Sequence, residues 1–197
     1  MMQANVQFSD AEMKMMEDAE LILTKNKVLM KIKELFGQLQ EEMIALRTGE
    51  NIFDYPPKIS RGENYEGLPW LVLDFPRVFK AQNIYAIRTM FWWGNFFSST
   101  LHVSGERKLL LSGRLAEAYD RLSAEGYYIN INKDQWLHHF NEDNYIPVSS
   151  ISREAFEDHV NRYEHVKLAG KLPLGNIDAA LNELLSSWKF FLEISGY

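Results

Sequence analysis

The sequence predicts an α+β fold in which an antiparallel sheet, a meander of three strands plus at least one more, is flanked by helices and preceded by a long N-terminal helical segment. Three observations carry that expectation. Leu29, Ile32, Phe36, Leu39, Met43 and Leu46 alternate spacings of three and four, the period of a helix with one apolar face. Three β-rich segments follow one another closely, the last two separated by Gly94-Asn95. Two further segments near the C-terminus return to helical spacing.

Ser9-Asp10-Ala11-Glu12 has the spacing of a capping box, so a helix should start there. Seven residues before Ile32 lies Lys25, which breaks the apolar register and predicts a bend at Thr24 to Asn26; Gly49 offers a stop downstream. The heptad-like run is shorter than three repeats and is read as packing on its own domain, with a homodimer seam as the alternative. Residues 50–67, rich in turn formers and holding Pro56-Pro57, are read as a loop. Leu68 to Phe75 is the first strand, and Pro76 should end it or place it at an edge, because proline cannot donate to a ladder.

Glycine supplies the positive φ of a two-residue turn, so Gly94-Asn95 should join Ile84 to Trp93 with Phe96 to Val103. That register places Tyr85, Ile87, Thr89, Phe91 and Trp93 with Phe96, Ser98, Thr100 and His102 on one face. Ile84, Ala86, Arg88, Met90 and Trp92 then share the other, drier face with Phe97, Ser99, Leu101 and Val103. Glu106 to Glu125 reads as a helix closed by Gly126, and Tyr127 to Ile131 as a further strand. Ser152 caps a helix presenting Phe156, Val160 and Tyr163; Asn176 or Asp178 opens the last one.

With 197 residues, 46% hydrophobic and 24% charged, and with no repeat or linker, one domain over residues 1–197 is expected. Cysteine is absent, which removes disulfides and thiolate metal sites. The opening residues carry no basic and apolar leader, and no segment approaches about 18 uninterrupted apolar residues, so a cytoplasmic protein outside the membrane is expected. A net charge of −6 opposes a nucleic-acid partner, whose affinity depends on clustered cations. The middle third, around the hairpin, is the least acidic.

The leading helix, the aromatic meander ending in Ser99-Thr100-Leu101-His102-Val103, and the later helix start Ser152-Arg153-Glu154-Ala155-Phe156 resemble the YktB-like family of uncharacterised bacterial α+β proteins. The resemblance implies a sheet flanked by helices and transfers no activity.

Two residues invite chemistry. Arg88 falls among apolar neighbours and so needs a partner, for which Asp74 on the preceding strand is the candidate. With Arg77 or Arg61 it could grip a carboxylate or phosphate in a bidentate fork. His102, beside Ser98 and Thr100, could orient a ligand or act as a base. No spacing completes a catalytic triad, and no phosphate loop is present. His138/Glu142 and His139/Asp143 would supply paired metal ligands if their segment were helical, with His159 or His165 as third ligands.

The expectation is therefore a binding or interaction protein with a small-ligand pocket on an aromatic sheet face, its candidates being Asp74, Arg77, Arg88, Trp93, Ser98 and His102. The ligand would be small and anionic or aromatic; no catalytic residue, metal or cofactor is assigned. A metal-assisted or histidine-dependent hydrolase is the alternative.

Overall fold

The computed structural model describes residues 6–80 and 83–197. Among the described residues, six α-helices and one seven-stranded sheet make an α+β architecture, and every strand pair in the sheet is antiparallel. The helices are α1 (Asp10–Glu17), α2 (Ala19–Leu46), α3 (Gly105–Glu117), α4 (Tyr119–Ala124), α5 (Arg153–Arg162) and α6 (Ala180–Ser195). The strands are β1 (Lys58–Tyr65), β2 (Leu68–Lys80), β3 (Asn83–Trp92), β4 (Phe96–Ser104), β5 (Tyr128–Asn130), β6 (Tyr145–Pro147) and β7 (His165–Pro173). Their order across the sheet is β1-β2-β3-β4-β7-β5-β6.

The capping box forms as read: the Glu12 amide donates to the Ser9 hydroxyl, and the Ser9 amide donates to the Glu12 carboxylate at 2.7 Å. The chain breaks at Asp18 rather than at Thr24 to Asn26, because Asp18 caps α2 by accepting from the Leu21 amide. From there α2 runs unbroken and lays Leu29, Ile32, Phe36, Leu39 and Met43 on the sheet. Residues 50–67 are not a loop throughout. A short 3-10 turn, Asn51–Phe53, buries Ile52 and Phe53, and β1 then pairs with β2 despite weak strand propensity. Gly62 is needed there, since a Cβ would lie 2.6 Å from the Trp70 indole.

β2 does not end at Pro76. It continues to Lys80, and the register shift between Asp74 and Arg77 absorbs the proline. Beyond Asp74, β1 no longer pairs with β2, so no partner there needs the missing N–H.

The hairpin register is one residue from that expected. Asn95 N–H donates to the Trp92 carbonyl at 3.1 Å, so the connection is Trp93-Gly94-Asn95, with Gly94 at φ 72°. Trp92 therefore pairs with Phe96 and Ala86 with His102. A one-residue slip exchanges every side chain of β4 between faces. Tyr85, Ile87 and Phe91 share a face with Phe97, Leu101 and Val103, against the helices. Arg88, Met90 and Trp92 share the opposite face with Ser98, Thr100 and His102.

The helix-covered face is one continuous core. Trp188 of α6 is fully buried, stacks on Phe75 and donates its indole N–H to the Phe75 carbonyl at 2.6 Å. The predicted helix over 106–125 divides at Ala118 into α3 and α4, and α6 opens at Ala180 after a 3-10 stretch, Leu174–Ala179. β7, absent from the sequence reading, is the strand that joins the meander to β5 and β6.

Candidate functional site

Among the described residues, no helix covers the other face of the sheet. It is roofed by residues 131–144, the connection from β5 to β6, closed at its base by Ile131 N–H donating to the Asn144 carbonyl at 2.8 Å. Phe140 anchors one end, stacking on Tyr145 and meeting Phe96 and Tyr128 edge-on. Tyr65 holds the middle: its hydroxyl accepts from the amides of His138 at 2.7 Å and His139 at 3.2 Å.

Under this roof the ladder dictates a row. Asp74, Arg88 and Thr100 are directly opposed across β2, β3 and β4, and one step along, Ala86, His102 and Lys167 are opposed across β3, β4 and β7. Arg88 grips Asp74 in a fork, Nε to Oδ1 at 2.7 Å and Nη2 to Oδ2 at 2.9 Å. Its remaining Nη1 lies 3.1 Å from His138 Nε2. A guanidinium only donates, so that nitrogen accepts and the His138 proton sits on Nδ1. His102 Nε2 lies 2.9 Å from the Gln135 amide oxygen and donates to it.

Lys167 is the least expected member. It is 1% exposed, donates to the Leu137 carbonyl and lies 5.2 Å over the Tyr145 ring. Among the described residues no carboxylate comes within ion-pair distance of it, since Asp74 is committed to Arg88 and the exposed Asp134 serves the Trp136 amide. Burial, reinforced by Arg88, pushes the Lys167 ammonium down to about 7. Burial likewise lowers His102 to about 3 and His138 well below its usual range, with Lys167 the next cause in each. Both rings are therefore neutral near pH 7. The cluster sets two cations against one buried carboxylate.

A void of about 10 Å³ remains among Phe79, Ala86, Arg88, Thr100, His102, His138 and Lys167, room for about one water. Phe79 lines it at 39% exposure, and its ring lies 6.4 Å from that of Trp136, itself 48% exposed and edge-on to His102. Two solvent-facing rings thus stand beside a buried polar cluster.

Of the sequence candidates, Asp74, Arg88 and His102 come together. The expected register had set Arg88 and His102 on opposite faces; the three-residue turn unites them. Ser98 is buried on the same face, opposite Met90 and Lys171, and does not line the void. Trp93 lies in the turn and packs edge-on against Phe91, on the helix side. Arg77 donates to the Pro56 carbonyl and lies over Tyr55, away from the cluster, and Arg61 is exposed on β1.

The histidines do not gather as metal ligands. Residues 131–144 are not helical, which removes the i, i+4 pairing geometry for His138/Glu142. His139 lies 3.9 Å from both Glu66 and Asp143, His159 stacks on Tyr163, and His165 bonds Asn130. Among the described residues no group of three or more His, Asp or Glu side chains could hold a metal ion.

Lys167, Gln135 and Tyr145 were missed. A signal for Lys167 existed: His165, Lys167, Ala169 and Lys171 alternate with Val166, Leu168 and Leu172, a two-residue period. Comparison of the chain with protein-family models, curated proteins and solved structures finds no match. Among the described residues no helix is long and apolar enough to cross a membrane.

Proposed function

We propose that this is a binding protein whose site is the roofed face of the sheet, and that its ligand is a small aromatic acid. The acid group would reach toward Lys167 and Arg88, and the ring would lie against Phe79 and Trp136. The single observation that carries the reading is the buried Lys167 amine with no carboxylate within ion-pair distance among the described residues. A buried charge is costly unless paired, so such a position either sheds its proton or takes up an anion. Arg88, only partly buried, has its fork on Asp74 and Nη1 on His138, so it offers the ligand charge and the second hydrogens of Nη1 and Nη2 rather than a bidentate grip. The closed void admits one ligand oxygen, so entry requires the roof to lift at the Phe79–Trp136 edge. Cytoplasmic residence and kinship with the YktB-like proteins belong to the same proposal and add no activity to it.

Thermal unfolding near pH 6.5 with benzoate, phenylacetate and acetate against chloride at equal ionic strength tests this. Binding to the folded state raises stability by mass action, about 2.7 kcal/mol at one hundred times Kd. The aryl carboxylates should raise Tm saturably, acetate less so, and Lys167→Met should abolish the rise. Equal response to chloride and to every carboxylate would overturn the proposal.

A further inference from the structure

The chain from Val6 to Thr24 is exposed at every residue: α1 buries no side chain, and α2 reaches its first buried residue only at Leu29. Yet nine of the exposed large apolar residues lie between Val6 and Met30, including Phe8, Met13, Met16, Ile22, Leu23 and Met30. An apolar concentration of this kind marks an interaction surface. Along α2, Leu23, Asn26 and Met30 form a stripe separate from Leu29, Ile32 and Phe36, which face the core. Beside it Asn26, Met30, Lys33, Arg61 and Leu71 line a groove of about 290 Å³.

The charge pattern selects the occupant. Residues 10–20 hold Asp10, Glu12, Glu17, Asp18 and Glu20 against Lys14 alone, whereas residues 25–33 hold four lysines and no acid. Lys25 is paired with Glu63 and Lys27 weakly with Glu20, while Lys31 and Lys33 have no ion pair among the described residues. We infer that this N-terminal helical arm is a self-association surface, on which two copies of the chain pair antiparallel about a two-fold axis near Leu23. Reversal then sets the acidic half of each arm over the lysines of the other, while Met16 of each copy meets the Met30 groove of the other and the two Leu23 side chains meet at the axis. Such an isologous contact closes on itself. A stable interface takes about 800 Å² per partner; Met16, Leu23 and Met30 would form its apolar centre and the flanking acids and lysines the remainder. An anionic lipid surface fits poorly, because the acidic half would face it.

Sedimentation equilibrium of the full chain at tens of micromolar should give twice the 23.0 kDa monomer mass. Leu23→Glu, at a site exposed in the monomer, should give a monomer with unchanged circular dichroism. Glu17→Lys/Glu20→Lys and Lys31→Glu/Lys33→Glu should each weaken the dimer at least tenfold, and mixing the two should restore pairing as a heterodimer. A monomeric wild type overturns the inference, as does a dimer indifferent to these substitutions. Recruitment of a monomer to phosphatidylglycerol vesicles would overturn it in favour of a lipid surface.

Discussion

The two faces of the sheet are built from the same strands, alternate residue by alternate residue, yet they are closed in different ways. On one face α2, α3 and α6 bring in aliphatic and aromatic side chains, and Phe36, Phe97, Leu101 and Trp188 pack with almost no exposure. On the other, Val72, Met90, Trp92 and Phe96 form a small apolar cluster beneath Phe140, Phe79 and Trp136 meet at the far edge, and between them the contact is polar: Asp74–Arg88–His138, His102–Gln135 and Lys167–Leu137. A helix brings an apolar stripe whose backbone is already satisfied. A loop brings unpaired backbone groups, so the face beneath it must offer partners. The helix side is therefore closed by apolar packing, and the loop side by hydrogen bonds.

The largest expected effect tests the first half of that contrast. Phe36→Ala removes a buried ring that meets Phe97, and should cost about 3–5 kcal/mol in denaturant unfolding. Asp74→Asn on the opposite face strips Arg88 of its counter-charge. Because Arg88 is partly exposed, the cost should fall to about 2–4 kcal/mol, below that of breaking a fully buried pair. Asp74→Leu combined with Arg88→Met should recover most of that loss; if the double variant is as unstable as the single, the pair is not merely a cost of burial.

Tyr65→Phe should be milder, about 1–2 kcal/mol, since two roof amides lose their acceptor. Hydrogen exchange should quicken at His138 and His139 while the helix-covered strands keep their protection. Uniform quickening across both faces would show that the roof does not open separately.

Smallest near neutral pH, and most specific, is the pH dependence. Lys167 titrates at about 7 in the folded chain and near 10.5 unfolded, so between those values the unfolded state binds more protons and stability rises with pH. His102, lowered to about 3, and His159, lowered to about 4 chiefly by burial, act on the acid side. Each stays neutral in the folded chain while its unfolded counterpart charges below about 6.5, so stability falls as pH drops from there. Lys167→Met should flatten the alkaline rise and leave the acid fall intact. A wild-type profile flat from about pH 7 to 10 would contradict the burial of a titrating amine.

The α2 side of the helix-covered face was legible beforehand, because Leu29 to Met43 report burial through a simple period; β3 was not, since it is buried on both faces and the face expected to be the drier one, with Ala86 and Arg88, is the roofed one. The capping box was legible as a local contact written into four residues. The register of the hairpin was not. Gly94-Asn95 marks a turn, but whether Trp93 belongs to the strand or to the connection depends on the hydrogen bond from Asn95 to Trp92, and that one residue decides whether Arg88 and His102 meet. β1 was missed because its neighbour forms it, Ser60, Gly62 and Asn64 having little strand preference, whereas β7 carries a two-residue period that its lysines and Gly170 disguise as a surface segment. Lys167 reads as a surface residue until a roof is placed over it.

The proposed anion site depends on Lys167, which is buried with no carboxylate within ion-pair distance among the described residues. The most direct measurement is an NMR titration of the Lys167 side-chain amine, with and without an aryl carboxylate such as benzoate. The expected midpoint is near 7 and moves upward when the carboxylate is added, because a nearby anion favours the ammonium. A midpoint at the ordinary lysine value, unmoved by the carboxylate, would contradict the proposed site.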